Sequence, residues 1–105
     1  LEPNLLLEAI GSYDYYTPSQ RLILQIIVQT SIAGKSKITT AFIAEKANVS
    51  RTAVYKTLKK FIEEGDISFD MYNKTRQRSI LLNIDSMQKI VSLHLSKKNI
   101  KPNLS

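Results

Sequence analysis

Residues 43–58 carry the pattern that decides the fold, and they read IAEKANVSRTAVYKTL. Asn48 follows a helix-forming segment, and asparagine is, after glycine, among the residues most able to adopt the left-handed backbone of a tight turn. Ser50 is a favoured N-cap residue, and apolar residues after it recur with the period of a helix. The stretch therefore predicts a helix, a tight turn and a second helix.

The second helix has two chemically different faces on a period of 3.6 residues. Its apolar face consists of Val54, Leu58, Phe61 and Ile62. Its polar face consists of Thr52, Lys56 and Lys59, with Tyr55 to one side. We expect the apolar face to anchor the helix in a core and the polar face to contact a partner. A basic helix that only faces solvent is the alternative interpretation.

A β-hairpin is predicted after Gly65, which is expected to end the second helix. Apolar residues occupy every second position of 67–71 and of 80–84, as in strands with one buried face. Residues 73–77 are predicted to form a polar turn between these strands. The basic side chains of this region are Lys74, Arg76 and Arg78. Such a narrow basic ribbon suits a minor groove or flanking phosphates, whereas a solubilising turn is the simpler alternative.

The chain from about Ile38 to Ile84 resembles a winged helix-turn-helix domain of the bacterial and archaeal kind. The matching residues are Ile43-Ala44-Glu45, Asn48-Val49-Ser50-Arg51, Val54-Tyr55, Leu58 and Gly65-Asp66-Ile67. Asn48 replaces the commoner glycine, and Phe61 stands where leucine is frequent. The resemblance covers just under half of the chain. It implies a mainly α-helical α+β fold with a small β-hairpin, the wing, and with flanking N- and C-terminal helices.

A long apolar helix is predicted before the helix-turn-helix. Thr17 is its expected N-cap, because Pro18 suits the first helical position and Gln20 can complete a capping box. Apolar side chains cover most of its circumference up to Ala33, and Gly34 is its expected stop. Such a helix should be buried on several sides, and a second subunit is one way to bury it.

Shorter elements complete the expected architecture. Residues 5–10 could form a short helix, Ile38 a minimal strand, and Thr39 the N-cap of the helix that ends near Ala47. Asp85 can cap a final helix, with Gln88 completing a capping box. The apolar stripe of this final helix consists of Met87, Ile90, Val91 and His94. We expect His94 to be a packed helix residue rather than a ligand.

Length and composition favour one folded domain. The 105 residues suffice for one hydrophobic core, and 43% of them are hydrophobic. We expect an N-terminal extension at residues 1–16, the winged-helix domain at residues 17–96, and a polar C-terminal tail at residues 97–105. The chain has no cysteine and no apolar run that could cross a bilayer. A cytoplasmic protein without disulfides or a membrane partner is therefore expected.

Charge distinguishes among the classes of partner. Fifteen Lys and Arg residues against nine Asp and Glu residues give a net charge of +6 and a pI near 9.7. This balance favours nucleic acid, an anionic membrane or an acidic protein. The basic residues concentrate on the second helix and the wing, not opposite a long apolar face, which favours DNA over a membrane. The dispersed aspartates and the single histidine predict no enzyme, no cofactor and no metal site.

The sequence thus predicts a protein that binds double-stranded DNA with sequence preference. The second helix would enter the major groove, the starts of both helices would hold the backbone, and the wing would reach the minor groove. The candidate DNA-binding residues are Thr39, Thr40, Ser50, Arg51, Thr52, Tyr55, Lys56, Lys59, Lys60, Lys74, Thr75, Arg76, Gln77 and Arg78.

Three functions remain open at this point. A transcriptional regulator is favoured over an accessory protein at a plasmid or phage origin of replication or of conjugative transfer, of the relaxosome type. The third is a winged-helix module that binds an acidic protein. We also expect a homodimer, formed through the helix from Pro18 to Ala33 or through the final helix, although ordinary core packing explains both helices equally well. Protein partners in a larger nucleoprotein complex would fit the accessory role.

The second helix has few side chains that can form paired hydrogen bonds with a base, and this leads to a prediction about Arg76. This helix has no Asn or Gln and only one Arg near its start, so specificity should depend partly on Arg76, Gln77 and DNA shape. We expect Arg76→Ala to relax sequence preference, and Lys59→Ala to weaken binding to all sites. The measurement is the affinity of both variants for selected and for random duplexes. Equal losses on the two kinds of DNA for Arg76→Ala would contradict this division of roles.

Overall fold

The computed structural model describes residues 2–70 and 78–100, and in them the chain forms five helices and one small sheet. The helices are α1 (Pro3–Gly11), α2 (Pro18–Thr30), α3 (Thr40–Ala47), α4 (Arg51–Glu63) and α5 (Ile84–Ile100). The strands are β1 (Ser31–Ile32), β2 (Lys35–Ser36), β3 (Ile67–Asp70) and β4 (Ser79–Leu82). All neighbouring strands are antiparallel, in the order β1-β2-β4-β3. The predicted mainly α-helical α+β fold is confirmed, with a strand pair β1–β2 added to the predicted hairpin β3–β4.

Three predicted N-caps are confirmed. Thr17 and Gln20 form a reciprocal capping box at the start of α2, with N–H···O distances of 3.2 and 3.0 Å. The hydroxyls of Thr39 and Ser50 each accept a hydrogen bond of 3.0 Å from the backbone N–H three residues further on. These side chains therefore satisfy amides that would otherwise be unpaired at the starts of α2, α3 and α4.

The turn between α3 and α4 has the predicted geometry. Asn48 is left-handed, with φ of 56° and ψ of 48°. Its own N–H donates to the carbonyl of Glu45, and the N–H of Val49 donates to the carbonyl of Ala44 at 3.0 Å. These bonds satisfy the last carbonyls of α3, and α4 begins three residues after Asn48.

The predicted end of α2 was wrong. The helix ends at Thr30. The side-chain hydroxyl of Thr30 forms hydrogen bonds with the carbonyl of Ile26 and the hydroxyl of Ser36, both at 2.8 Å. Ala33 and Gly34 both have positive φ, which is the geometry of a two-residue hairpin turn. Gly34 therefore lies in the turn that connects β1 to β2 and does not end a helix.

The predicted strand at Ile38 was also wrong. β2 consists of Lys35 and Ser36, whose Cα partners are Leu81 and Ile80 of β4. Ile38 lies beyond the last paired residue, and its half-buried side chain packs against the core. Its hydrophobicity is thus explained by packing, not by strand pairing.

One hydrophobic core unites all five helices and the sheet. The largest enclosed side chains are Tyr16, Phe61, Ile10, Ile23, Leu24, Ile27, Ile43, Met87 and Val54. α2 is buried on several sides, as predicted, but its neighbours α1, α3, α4 and β2 belong to the same chain. Its enclosure therefore requires no second subunit. The segment predicted as an N-terminal extension contributes Leu6, Ala9 and Ile10 to this core.

The predicted apolar faces of α4 and of the wing strands are confirmed, except at their last residues, Ile62 and Ile84. Val54, Leu58 and Phe61 are buried, but Ile62 is 41% exposed. It lies next to the buried face, because each residue advances the helix by about 100°. Ile84 was predicted to continue the alternation of β4. It is instead the first residue of α5 and is half-exposed.

α5 starts at a different cap from the predicted one and extends further. Asn83 precedes the helix, and its Oδ1 accepts a hydrogen bond of 3.2 Å from the N–H of Ser86. Asp85 therefore lies inside the first turn and is not the cap. The helix continues through residues 97–100, which were predicted to be tail. The predicted stripe of Met87, Ile90, Val91 and His94 is buried.

Two contacts between α1 and α5 explain the added length. His94, only 8% exposed, places its Nε2 2.9 Å from Oε2 of Glu8, and Nζ of Lys98 lies 3.1 Å from the same oxygen. Positive side chains also interact favourably with the C-terminal end of a helix. The last turn of α5 is therefore held to α1. None of the helices in the described part of the chain has the length and hydropathy needed to span a bilayer.

A buried carboxylate joins three separate segments. Asp66, 5% exposed, accepts hydrogen bonds from the hydroxyls of Tyr16 and Ser86. Burial raises the pKa of Tyr16, and the hydrogen bond to Asp66 raises it further, so the phenol stays protonated and donates. The ring of Tyr16 packs on Phe61 of α4 with centroids 4.9 Å apart. The segment before α2, the turn before β3 and the first turn of α5 are thus connected.

Removing the Tyr16 hydroxyl tests this connection. Tyr16→Phe keeps the ring packing but removes a donor to a buried carboxylate, and we expect it to lower the free energy of unfolding by about 1–3 kcal/mol. Urea denaturation gives the measurement. The control is Tyr15→Phe, whose side chain is largely exposed, with an expected change below about 0.5 kcal/mol. Equal changes in the two variants would contradict the assigned role of Asp66.

The Glu8 cluster predicts a dependence of stability on pH. Hydrogen bonds from His94 and then from Lys98 lower the pKa of Glu8 below its ordinary value of 4.5. A carboxyl whose pKa is lowered by folding stabilises the folded state above its unfolded pKa, and this contribution is lost as the pH falls through the folded pKa. We expect Glu8→Gln to lower Tm at pH 7, with the difference from wild type disappearing as the pH falls below 4.5.

Thermal unfolding between pH 3 and pH 7 checks this expectation, with about half-unit steps. Glu45→Gln is the control, because Glu45 is exposed on α3 and has no ion pair among residues 2–70 and 78–98. A pH-independent difference between Glu8→Gln and wild type would show that the charge of Glu8 does not stabilise the α1–α5 contact.

Candidate nucleic-acid interface

The outer face of α4 is polar and accessible. Thr52, Lys56 and Lys59 are exposed on the side opposite the buried residues, and the neighbouring Tyr55 is 60% exposed. Glu63, the last residue of the helix, is also exposed and marks the end of the basic face. The structure thus brings these four predicted residues onto one accessible helix surface.

The starts of α3 and α4 present hydroxyl groups beside unpaired backbone amides. Thr39 and Ser50 are exposed, and each uses an oxygen lone pair for its cap, so each hydroxyl hydrogen remains available to a phosphate. Arg51 is exposed in the first turn of α4, and Thr40 is half-buried at the start of α3. The positive ends of the two helix dipoles add to the attraction for an anion.

Lys60 is placed apart from the other predicted residues. Its Nζ lies 5.2 Å from the ring centroid of Tyr15 and 3.8 Å from Oε2 of Glu64. It therefore points toward the segment before α2 and away from the face formed by Lys56 and Lys59. The pattern of basic residues in α4 did not reveal this, because the partner Tyr15 belongs to another part of the chain.

One predicted wing residue lies in the described part of the chain. Arg78 is exposed just before β4, and its guanidinium carbon lies 5.8 Å from the ring centroid of Phe69 on β3. The other four predicted wing residues, Lys74, Thr75, Arg76 and Gln77, lie outside the described residues.

A groove runs between α4 and the wing strands, and we call it the α4–wing groove. Its volume is about 500 Å³. Its apolar lining residues are Ile38, Leu58, Ile62, Phe69 and Ile80. Its basic lining residues are Lys37, Lys59 and Arg78. Its remaining lining residues are Thr39, Thr40 and Tyr55. The structure thus brings five of the predicted residues around one concave surface.

Lys37 is a groove residue that the sequence reasoning missed. It lies between β2 and the N-cap of α3 and is exposed. A local signal existed, since it precedes the cap Thr39 by two residues, but its proximity to Lys59 and Arg78 depends on the fold. Neither Lys37 nor Lys59 forms an ion pair with a carboxylate of the described residues.

The site offers positive charge and hydrogen-bond donors, but no metal-binding cluster within the described ranges. No three His, Asp or Glu side chains in residues 2–70 and 78–98 lie close enough together to hold a metal ion. Lys35, which does not line the groove, is paired with Asp70 at 2.9 Å and links β2 to β3. The chemistry that the arrangement supports is therefore the binding of a polyanion on the exposed basic face of α4 and the groove beside it.

Comparison with known proteins agrees with this geometry. A model of the HTH domain family matches residues 20–72, which is half of the chain. A MarR family transcriptional regulator from Silicibacter pomeroyi DSS superposes with a TM-score of 0.56 at 18% identity, over 94% of this chain and 63% of that one. RV1404 from Mycobacterium tuberculosis superposes with a TM-score of 0.50 at 13% identity, over 93% of this chain and 69% of that one.

The sequence has no significant match among curated proteins. At identities below 20%, the two superpositions show a shared fold, and the chain spans only 63% of the length of the Silicibacter regulator. The family match, the left-handed turn at Asn48 and the wing strands lead to one conclusion. The chain belongs to the HTH domain family, and its fold is that of a winged helix-turn-helix DNA-binding domain.

Proposed function

We propose that the protein binds double-stranded DNA with sequence preference and regulates transcription. The observation that carries the proposal is the convergence of three segments on one basic surface: the exposed face of α4, the start of α3, and Arg78 beside the wing. Positive charge attracts any polyanion, but an exposed basic helix beside a pair of wing strands matches a grooved duplex.

In this proposal α4 enters the major groove. An α-helix with its side chains is about 10–12 Å across, and the major groove of B-DNA is about 12 Å wide. Thr52, Lys56 and Lys59 would then face base edges, with Tyr55 against one strand. Lysine can donate to guanine acceptors, and a threonine methyl group can contact the methyl group of thymine.

The backbone of the DNA would be held at the helix starts. The hydroxyls of Thr39 and Ser50, the guanidinium of Arg51 and the amides of both first turns can all donate to phosphate oxygens. Thr40 and Lys37 extend this row of donors along the groove. Such contacts set the orientation of α4 but carry no direct sequence information.

The wing is proposed to add the second contact region. Arg78 lies at its base on the side of the groove, and the basic residues predicted in the turn would extend the footprint into the adjacent minor groove. Those residues are Lys74, Thr75, Arg76 and Gln77. We assign Lys60 to its contacts with Tyr15 and Glu64, not to DNA.

We further propose a homodimer that uses α5. Leu93 and Leu95 of this helix are exposed, whereas on α2, the other candidate, Leu22 is exposed and the remaining Leu, Ile and Val residues are buried. A two-fold dimer would place two copies of α4 on half-sites about one helical turn of DNA apart. Dimer formation is checked by the molar mass in solution.

The first experiment selects tight binders from a random pool of DNA duplexes and titrates salt on selected and unselected DNA. We expect an enriched motif with a preference of about a thousandfold or more, whose symmetry gives the arrangement of the subunits. Weak, unselective binding would contradict the regulator and indicate an architectural role at an origin of replication or transfer. Absence of binding at low salt would contradict DNA binding altogether and favour an acidic protein partner.

A pair of lysine variants tests which face of the molecule contacts DNA. We expect Lys56→Ala to weaken binding and to reduce the slope of log affinity against log salt by about 1, because one positive charge beside the duplex is lost and fewer counterions are released. Lys89→Ala is the matched control, since Lys89 is an exposed helix lysine on α5, away from the groove. Equal slopes for Lys56→Ala and wild type would contradict the placement of α4 against the duplex.

A further inference from the structure

α4 has exposed apolar surface along the edge that borders the wing strands. Tyr55 is 60% exposed and Ile62 is 41% exposed, and both line the α4–wing groove. They are separated by about two helical turns, so they lie on the same side of the helix. We call these two side chains the apolar edge of α4. This edge lies beside the polar face formed by Thr52, Lys56 and Lys59.

The hydrophobic core does not account for this apolar edge. Leu58 and Ile80 form the buried floor of the groove, so the protein itself covers them. Tyr55 and Ile62 line the groove with them but stay partly in water in the free chain. Exposed apolar side chains grouped at one place commonly mark a binding site, because leaving them in water is unfavourable.

The charges around the apolar edge indicate the chemistry of its partner. Lys37, Lys59 and Arg78 line the same groove, and no Asp or Glu occurs among the described residues that line it. This positive charge attracts a polyanion and repels a second copy of a chain whose own net charge is +6. The partner that covers the apolar edge therefore combines negative charge with accessible apolar groups.

A DNA duplex offers such a group in its major groove. The bases present mainly hydrogen-bond donors and acceptors there, and the 5-methyl group of thymine is the apolar exception. This methyl group projects near the backbone of its own strand, at the side of the groove and not at its centre. A side chain on the edge of a helix in the groove can therefore reach it, while the central face of the helix meets polar atoms.

α4 has few other means of recognising an A·T pair. Asn and Gln, whose amides form paired hydrogen bonds with adenine, do not occur in residues 51–63. Lys56 and Lys59 are suited to the acceptors of guanine. Apolar contact with the thymine methyl group is thus the means of base recognition that α4 offers at such a pair.

We propose that Tyr55 and Ile62 determine sequence preference by contacting the 5-methyl groups of thymine in the target duplex. The inference rests on the proposed function, because it requires α4 to lie in the major groove. The ring of Tyr55 and the branched side chain of Ile62 each cover a methyl group and displace water from it. The recognised feature is then the methyl group of the thymine and not the hydrogen bonds of the A·T pair.

The test replaces thymine by deoxyuridine, one position at a time, in a duplex obtained from the selection experiment. This exchange removes one methyl group and keeps every hydrogen bond of the base pair. Fluorescence anisotropy at one fixed salt concentration gives the affinity. We expect about fourfold weaker binding at one or more thymines, since burial of a methyl-sized group contributes roughly this factor. Specific binding that no deoxyuridine weakens would overturn the proposal and leave the proposed function intact.

Substitutions assign each methyl contact to a side chain. We expect Tyr55→Ala and Ile62→Ala each to bind the thymine and deoxyuridine duplexes equally well at the position that the removed side chain contacted. The matched controls are Tyr15→Ala and Ile84→Ala, because these residues are 55% and 49% exposed and do not line the groove. Both controls should keep the fourfold difference of wild type. Wild-type discrimination in both groove variants would overturn the assignment.

Tyr55→Phe separates the ring from the hydroxyl group. The ring suffices for an apolar contact, so we expect this variant to keep the preference for thymine over deoxyuridine. Equal losses on the two duplexes in Tyr55→Phe and Tyr55→Ala would instead show a phosphate contact and overturn the role of Tyr55 in base recognition. If wild type enriches no motif from the random pool, the proposed function fails and this inference fails with it. That outcome is distinct from specific binding that is insensitive to deoxyuridine.

Discussion

The buried carboxylate of Asp66 holds together the segments on which the interface depends. Its oxygens accept hydrogen bonds from Tyr16, before α2, and from Ser86, in the first turn of α5. Its backbone N–H donates to the carbonyl of Phe61, and its carbonyl accepts from the N–H of Asn83, each at 2.9 Å. Burying a charged group is costly unless it is hydrogen-bonded, so these contacts stabilise the fold only as a set.

This constraint determines the shape of the basic surface. Asp66 lies in the turn that connects the end of α4 to the start of β3, with Gly65 beside it at a φ of 79°. The angle between α4 and the wing strands therefore depends on one short, hydrogen-bonded turn. A change there would alter the width of the α4–wing groove while leaving each of its basic residues in place along the chain.

The α4–wing groove is lined by basic and by apolar residues, and both sets come from segments that are distant in the sequence. Lys37 precedes α3, Lys59 lies on α4 and Arg78 precedes β4, so positive charge is assembled by the fold. The apolar floor has the same origin, since Leu58 and Ile80 complete the core beneath it. In the proposed function this charge serves the contact with DNA.

The sequence by itself determined the helix starts at Thr17, Thr39 and Ser50 and the turn at Asn48, because caps and turns act within about four residues. It also predicted the exposed face of α4, since helical period alone assigns faces. It did not predict the short strands β1 and β2, of which β2 joins the sheet by pairing with β4, far along the chain. Nor did it separate Lys60 from its neighbours or include Lys37 in the site. Only the tertiary structure decided these, because they depend on contacts between residues that are distant in sequence.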